Sequence, residues 1–254
     1  MPDSWNYSQR PERASAQGGP PLTTFILCLI CVLVTFARSF PDPALGSIWY
    51  SLGHTFEPDL YGMWSGKYYD LVLPVFAHSN LLHSSLGFMH LLFNMWWLVK
   101  LGGAIERTTG PHVLLAVCVV SAAASSAVEM LFGGVPGIGM SGVVYALLGM
   151  MWAAKGRYAA WDALATPDTL WLFVRWGIFC IVITYIPFLN TPIANFAHFG
   201  GLLFGISMGY VFFAVRRRPV WIAVLALFAV LVVMAVTWIP WNPYWQIWHS
   251  GGAG

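Results

Sequence analysis

Charged residues are scarce in this sequence: Asp, Glu, Lys and Arg make up 9% of the 254 residues, whereas 58% are hydrophobic. An average soluble domain carries about a quarter of its residues as charges, so this chain has too few to cover a water-soluble globule. The net charge of +2 is small and dispersed, which gives no basis for a nucleic-acid partner. The composition therefore predicts one integral membrane domain.

Cysteine is also scarce, and its placement excludes two kinds of site. Cys28, Cys31, Cys118 and Cys180 all lie inside apolar runs, without paired spacing in loops. A disulfide framework or a structural zinc site needs such paired positions, so neither is predicted. We expect no metal and no other cofactor.

Several apolar runs are long enough to cross a bilayer, which takes about 20 helical residues. The seven predicted spans are residues 22–37, 86–101, 113–132, 140–154, 170–188, 193–215 and 220–239. Residues 1–20 are polar and lack the pattern of a cleavable signal peptide, so we expect a disordered tail there. The long connection 41–84 is rich in aromatic residues, which suits elements lying in the membrane interface.

The distribution of Lys and Arg predicts the orientation of the chain. If the N-terminus is cytoplasmic, only Arg38 and Lys67 fall in outer segments, and Arg175 lies within the fifth span. The basic residues of the inner segments are Arg10, Arg13, Lys100, Arg107, Lys155, Arg157, Arg216, Arg217 and Arg218. Because basic residues collect on the cytoplasmic side, we expect the N-terminus inside and the C-terminus outside. The short chain and the lack of a transit peptide favour a bacterial plasma membrane.

Polar side chains occur at similar depths in three of the predicted spans. Ser141 begins the fourth span, and His198 lies one to two turns into the sixth. His90 and Asn94 lie in the outer half of the second span, four residues apart and therefore on one helix face. A serine and a histidine at matching depth are the minimal pair for nucleophilic catalysis, and the amide and second imidazole can stabilise an oxyanion.

Ser141 is flanked by small residues, which allows two interpretations. Small residues let membrane helices approach closely, and this is their usual role. A serine at a helix N-terminus also lies beside free backbone N–H groups, which suit a nucleophile. Gly142 on the fourth span and Gly201 on the sixth allow the close packing that a Ser141–His198 hydrogen bond needs, so both interpretations agree. No acidic residue lies near His198 in the sequence, which favours a dyad over a triad.

Three motifs occur in order along these spans, and together they resemble the rhomboid family of intramembrane serine proteases. Gly139-Met140-Ser141-Gly142 matches the GxSG motif of that family, and His90-Leu91-Leu92-Phe93-Asn94 matches its HxxxN motif. Ala197-His198-Phe199-Gly200-Gly201 matches its AHxxG motif. Tyr145 falls where rhomboids carry an aromatic residue that packs on the catalytic histidine.

The resemblance implies an all-α polytopic membrane protein with a six-helix core over residues 21–215. A seventh helix and a short outer tail would occupy residues 216–254. The function implied is an intramembrane serine endopeptidase that cleaves transmembrane segments of membrane proteins after their lateral entry from the bilayer.

The resemblance also implies a role for each site residue. Ser141 would be the nucleophile and His198 the general base. Asn94, His90 and the backbone N–H of Ser141 would line the oxyanion hole. The supporting residues would be Tyr145, Gly139, Gly142 and Gly201.

The first loop departs from the family pattern. Tyr69-Asp70 stands where rhomboids often carry a Trp-Arg pair, and His78 and His83 precede His90 at an unusual spacing. We interpret His78 and His83 as residues that pack the loop.

Two other functions are compatible with this class of sequence. A catalytically silent rhomboid-like protein would bind transmembrane clients, but such relatives usually lack the serine or the histidine, and this chain has both Ser141 and His198. A small transporter or channel would also place polar groups in the inner halves of its spans. The outer clustering of the polar residues therefore favours the protease.

Overall fold

The computed structural model describes residues 19–40, 46–81, 85–186, 193–213 and 218–250. Over these ranges the chain is helical and contains no strand. The helices are α1 Leu22–Ser39, α2 Ser47–Thr55, α3 Leu60–Trp64, α4 Ser85–Trp97, α5 Gly103–Thr109, α6 Pro111–Gly133, α7 Ser141–Ala153, α8 Ala159–Leu164, α9 Pro167–Thr184, α10 Asn195–Phe212, α11 Arg218–Thr237 and α12 Pro243–His249. Two short 3-10 helices, Tyr68–Leu71 and Leu73–Phe76, lie between α3 and α4.

The helices have the length and composition of a polytopic membrane protein. Within the described residues, five helical stretches are long and apolar enough to cross a membrane: Leu22–Ser39, Gly87–Thr109, Pro111–Gly133, Pro167–Thr184 and Arg218–Thr237. α7 is a shorter apolar helix of 13 residues, and α10 has 18 residues. The predicted all-α polytopic architecture is confirmed, whereas the count of six core spans plus one stays a prediction.

Two parts of the chain differ most from the predicted spans. The second span does not end at Leu101, because a π-helical segment, Leu98–Gly102, joins α4 to α5 and carries the helical run to Thr109. The C-terminal aromatic tail forms α12, because the Asn242 side chain accepts hydrogen bonds from the first backbone N–H groups of the helix and Pro243 occupies its first turn.

The predicted connection 41–84 contains short helices between α1 and α4. One contact ties it to the end of the chain, since Trp64 Nε1 donates a hydrogen bond to the carbonyl oxygen of Ala235 on α11, at 3.1 Å. Its predicted position in the membrane interface stays a prediction. His83, residues 1–18 of the predicted tail and the link 214–217 lie outside the described residues.

α7 is the central helix of the fold. Its residues are buried over nearly the whole length, with Trp152 the partly exposed exception. α10 packs along it so closely that a Cβ atom added at Gly201 would overlap the carbonyl oxygen of Gly142. Only glycine fits at this crossing, and the contact places the first turns of α7 and α10 side by side.

The link between α11 and α12 contacts the end of α6. Trp241 Nε1 donates a hydrogen bond to the carbonyl oxygen of Leu131 at 2.8 Å, and Asn242 Nδ2 donates one to that of Gly134 at 2.7 Å. The last carbonyl groups of a helix have no partner within it, so these donors satisfy groups that would otherwise stay unpaired. These hydrogen bonds therefore hold the first residue of the α6–α7 loop, residues 134–140, in place.

Candidate active site

The predicted nucleophile and the predicted base are hydrogen-bonded. Ser141 is the first residue of α7, and His198 is the fourth residue of α10. The Ser141 Oγ and the His198 Nε2 are 2.8 Å apart, and both residues are buried. An imidazole nitrogen at this distance can accept the hydroxyl proton when the serine oxygen attacks a carbonyl.

The backbone N–H groups at the start of α7 form a positively polarised region next to Ser141. Met140 is the N-cap of α7 and forms no side-chain cap, so the N–H groups of the first turn have no partner from this cap. They lie at the positive end of the helix dipole, where developing negative charge is stabilised. The serine oxygen and the N–H groups thus belong to one helix start.

Tyr145, the aromatic residue one turn after the serine, lies against the imidazole of His198. Its ring stacks on His198 with centroids 4.7 Å apart and planes 8° apart. The Tyr145 hydroxyl donates a hydrogen bond to the carbonyl oxygen of Phe173 on α9, at 2.8 Å. The tyrosine therefore connects the histidine of α10 to the backbone of α9.

His90 approaches the site from α4, and Asn94 on the same helix is hydrogen-bonded to it. The Asn94 Nδ2 donates to the carbonyl oxygen of His90 at 2.8 Å, which leaves its second N–H hydrogen. The His90 Nδ1 lies 3.2 Å from the Ser79 Oγ. If this hydroxyl donates to Nδ1, the proton of His90 is on Nε2, the nitrogen that faces Gly139.

Gly139 is required where α4 meets the loop before Ser141. Its φ of +102° lies in the left-handed region that glycine adopts most easily. A Cβ atom here would lie 2.6 Å from the His90 Nε2, well inside van der Waals contact. Two physical causes therefore favour glycine at this position, its backbone angle and the nearby imidazole, and its supporting role stays a prediction.

Gly142, the other glycine of the GxSG motif, leaves room for α6 and α10. A Cβ atom at this position would lie 2.6 Å from the Ser125 Oγ on α6 and 3.3 Å from the carbonyl oxygen of Ala197 on α10. The residue after the serine therefore packs against two helices at once, one of which carries His198.

His78 lies closer to the site than the sequence indicated. Its Nε2 accepts a hydrogen bond from the Met140 N–H at 3.4 Å, and its ring lies 5.1 Å from that of His90, centroid to centroid. Arg38 on α1 donates to the carbonyl oxygen of His78 at 2.7 Å. Burial, with the nearby charges of His90 and Arg38, holds the pKa of His78 well below its usual value, so Nε2 stays available as an acceptor.

The His198 ring has one nitrogen without a protein partner in the described structure, namely Nδ1. Over the described ranges, no group of three or more His, Cys, Asp or Glu side chains is placed to hold a metal ion.

Comparisons with known proteins agree with the motifs. A family model described as the rhomboid domain matches residues 65–215, more than half of the chain. The chain is also 33% identical over 206 residues to the proteins named rhomboid protease GlpG of Salmonella newport, Salmonella heidelberg and Salmonella typhimurium, which covers 81% of this chain and 68% of each relative. The resemblance predicted from the motifs is confirmed, and the chain belongs to the rhomboid family of intramembrane serine proteases.

Proposed function

We propose that this chain is a serine endopeptidase that cleaves transmembrane segments with a Ser141–His198 dyad. The observation that carries the proposal is the 2.8 Å hydrogen bond between the Ser141 Oγ and the His198 Nε2 at the start of a buried helix. The relatives named rhomboid protease GlpG support the same class of reaction.

In the proposed reaction, His198 Nε2 takes the hydroxyl proton as Ser141 Oγ attacks the carbonyl carbon of the scissile peptide bond. The imidazolium then gives this proton to the leaving amine, which releases the first product and leaves an acyl-enzyme. A water molecule, deprotonated by the same imidazole, hydrolyses the ester and restores the serine. The unpartnered His198 Nδ1 is consistent with a dyad that has no carboxylate behind the histidine.

The oxyanion of each tetrahedral intermediate would be stabilised by three donors. These are the backbone N–H of Ser141, the free N–H hydrogen of the Asn94 Nδ2 and the His90 Nε2–H. The Asn94 side chain is buried and held by the carbonyl oxygen of His90, so it needs little reorganisation when charge develops.

The length of α7 supports a catalytic site below the membrane surface. Its 13 residues extend about 20 Å, at ~1.5 Å per residue, whereas the hydrocarbon core of a bilayer is about 30 Å thick. With Lys155 at the inner end, as the basic residues predict, Ser141 would lie roughly 10 Å inside the outer face. The irregular loop 134–140 would then be inside the membrane, which requires that protein or water surround its polar groups.

The substrate would enter between α4 and α9. These helices meet through the stacked rings of Phe93 and Trp176, with centroids 4.5 Å apart. Only four residues of α9 are buried, and they lie on one narrow face of the helix. Packing therefore holds α9 only weakly beside the site. Because helical peptide bonds are shielded, segments that contain small or helix-breaking residues should be cleaved best.

We further propose that the chain lies in a bacterial plasma membrane with the N-terminus in the cytoplasm and the C-terminus outside. The positive-inside distribution of Lys and Arg supports this orientation. Ser141 would then act from the outer half of the bilayer.

The proposal is tested with purified protein in detergent and a fluorophosphonate probe that labels activated serines. Wild type, Ser141→Ala and His198→Ala are compared, and the same proteins are then mixed with model transmembrane segments. We expect label and cleavage with wild type alone. Cleavage that survives Ser141→Ala would contradict the dyad, and binding of segments without cleavage by wild type would instead support the client-binding alternative.

A further inference from the structure

The helix that carries His198 starts without a cap of its own. The N-cap of α10 is Ala194, whose side chain cannot accept a hydrogen bond. The backbone N–H groups of the first turn have no acceptor within the helix, so they need acceptors from elsewhere in the protein or from water. Ala197, the third residue of α10, is buried, so water is a poor acceptor for its N–H group.

A carboxylate from a neighbouring helix fills this role. The Glu129 Oε2 on α6 accepts a hydrogen bond from the Ala197 N–H at 2.8 Å, and Glu129 itself is only 6% exposed. A negative group at this end of α10 is also favoured by the helix dipole. Glu129 is thus an N-cap that comes from another element of the fold.

The surroundings of Glu129 leave room for this contact. A Cβ atom at Gly133, one turn further along α6, would collide with the Glu129 Oε1, so glycine there gives the carboxylate space to turn towards α10. A Cβ atom at Gly137 would collide with that of Ala194. The loop between α6 and α7 therefore lies directly against the start of α10.

The hydrogen bond acts on the residue that precedes His198. Successive residues of an α-helix are rotated by about 100° around the helix axis. A shift of one residue in the start of α10 would therefore turn the His198 imidazole away from α7. The carbonyl oxygen of Ala197 faces Gly142, and the N–H of the same residue binds Glu129. The peptide groups of Ala197 are therefore held from both α7 and α6, next to the base.

We propose that Glu129 is a positioning residue for catalysis, which sets the orientation of His198 against Ser141 by capping α10 at Ala197. This inference rests on the proposed function, since it assigns Glu129 a part in the reaction that Ser141 and His198 carry out. In this role Glu129 does not touch the reacting atoms. The role requires an acceptor oxygen on a side chain long enough to reach the Ala197 N–H.

Three substitutions of Glu129 separate the effects of its charge, its length and its acceptor oxygen. Glu129→Gln keeps an acceptor oxygen at the same distance but removes the charge. Glu129→Asp keeps the charge on a shorter side chain, and Glu129→Ala removes the acceptor. Ser121→Ala is the matched control, because the Ser121 hydroxyl is buried on the same helix but donates only to Val117 and Cys118 of α6.

The readouts are kcat and KM for a model transmembrane segment, the rate of fluorophosphonate labelling, and thermal unfolding in detergent. We expect Glu129→Ala and Glu129→Asp to lower kcat and labelling by about 100-fold, the size of effect that a displaced catalytic group produces, with little change in KM. Glu129→Gln should stay within about threefold of wild type, as should Ser121→Ala, because the catalytic geometry is kept.

Two results would overturn the proposal. One is a folded Glu129→Ala or Glu129→Asp protein with wild-type kcat, and the other is Glu129→Gln as slow as Glu129→Ala. If Glu129→Ala does not fold, the comparison of Gln with Asp decides alone. A failure of the dyad would be seen separately, as cleavage by Ser141→Ala, and so is not confused with a failure of Glu129.

Discussion

The ring of Tyr145 lies flat against the imidazole of His198, with their planes only 8° apart. The hydroxyl of Tyr145 is bound to the carbonyl oxygen of Phe173, so the tyrosine has little freedom to turn. The imidazole is therefore held between a fixed aromatic face and the Ser141 hydroxyl. Its orientation is set before any substrate arrives.

The first prediction separates the ring of Tyr145 from its hydroxyl. Tyr145→Phe keeps the stacked ring, so its cleavage rate should stay within about threefold of wild type. Tyr145→Ala removes a stacked aromatic contact worth about 0.5–1.5 kcal/mol and leaves space beside His198, so its rate should fall about tenfold or more. Both rates are measured with a model transmembrane segment. Equal rates for Tyr145→Ala and wild type would show that the stack does not orient the base.

The second prediction concerns the contact between Gly139 and His90. Gly139→Ala should abolish most activity, because its Cβ atom would lie 2.6 Å from the His90 Nε2. Gly134→Ala is the matched control: Gly134 has a similar positive φ of +92°, but nothing lies within 4 Å of its added Cβ atom.

Both alanines bear the backbone cost of a positive φ, about 1–2 kcal/mol, so the difference between them isolates the imidazole contact. Cleavage rate and thermal unfolding are measured for the two variants. If Gly134→Ala loses as much activity as Gly139→Ala, backbone strain and not His90 explains the need for glycine.

The third prediction tests the close crossing of α7 and α10. Gly201→Ala should destabilise the protein by about 1–3 kcal/mol and lower activity, because the added methyl group pushes α10 away from the Gly142 carbonyl. The Cβ atom of Gly103→Ala on α5 would meet the end of the Arg107 side chain at 3.3 Å and the ring of Pro21 at 3.4 Å, without overlapping either. Gly103→Ala should be neutral or slightly stabilising, because alanine is more favourable than glycine within a helix by about 1 kcal/mol. Thermal unfolding curves that match for the two variants would contradict the crossing geometry.

The fourth prediction concerns Asp70, a buried carboxyl in the loop between α3 and α4. It is 4% exposed, and its Oδ2 has no partner in the described structure. Burial raises the pKa of Asp70 above its usual value of 3.8; Asp59 adds to this effect, and Lys67 opposes it. The folded protein therefore binds this proton more tightly than the unfolded chain does.

The sign of the pH dependence follows from that difference. The stabilisation by protonated Asp70 is fully present below the unfolded pKa of 3.8 and is lost as the pH rises through the raised pKa. Asp70→Asn, which cannot ionise, should therefore unfold at a higher temperature than wild type at about pH 8, and the gap should shrink towards about pH 4. Melting curves in detergent across this range check the prediction. A gap that does not change with pH would mean that ionisation of Asp70 is not the cause.

The sequence predicted the residues that meet at the candidate site because their motifs lie on regular helices. Ser141, His198, His90 and Asn94 were each placed by span and depth. The structure joins Ser141 to His198 by a hydrogen bond and places His90 against Gly139, two residues before the serine. Their catalytic roles stay predictions that the proposed labelling experiment tests. Helical periodicity and the positions of apolar runs were enough for this part.

Other features depended on contacts between distant segments, which no local pattern records. His78 was interpreted as a loop residue, yet it binds the Met140 N–H, 62 positions further along the chain. Glu129 is the acidic residue of the third predicted span, but it binds the backbone N–H of Ala197, which every residue type except proline could supply. The start of α12 was different, since Asn242-Pro243 is a recognisable helix start that the interpretation as a tail passed over.

The bonds that Trp241 and Asn242 make to the end of α6 give the last two helices a structural part in holding the loop before Ser141. If the protein were shortened after α10, the carbonyl groups of Leu131 and Gly134 would lose these donors. A C-terminal truncation is therefore not a harmless way to obtain a minimal enzyme. A fusion partner or affinity tag at this end also belongs beyond α12, joined through a linker that leaves Trp241 and Asn242 in place.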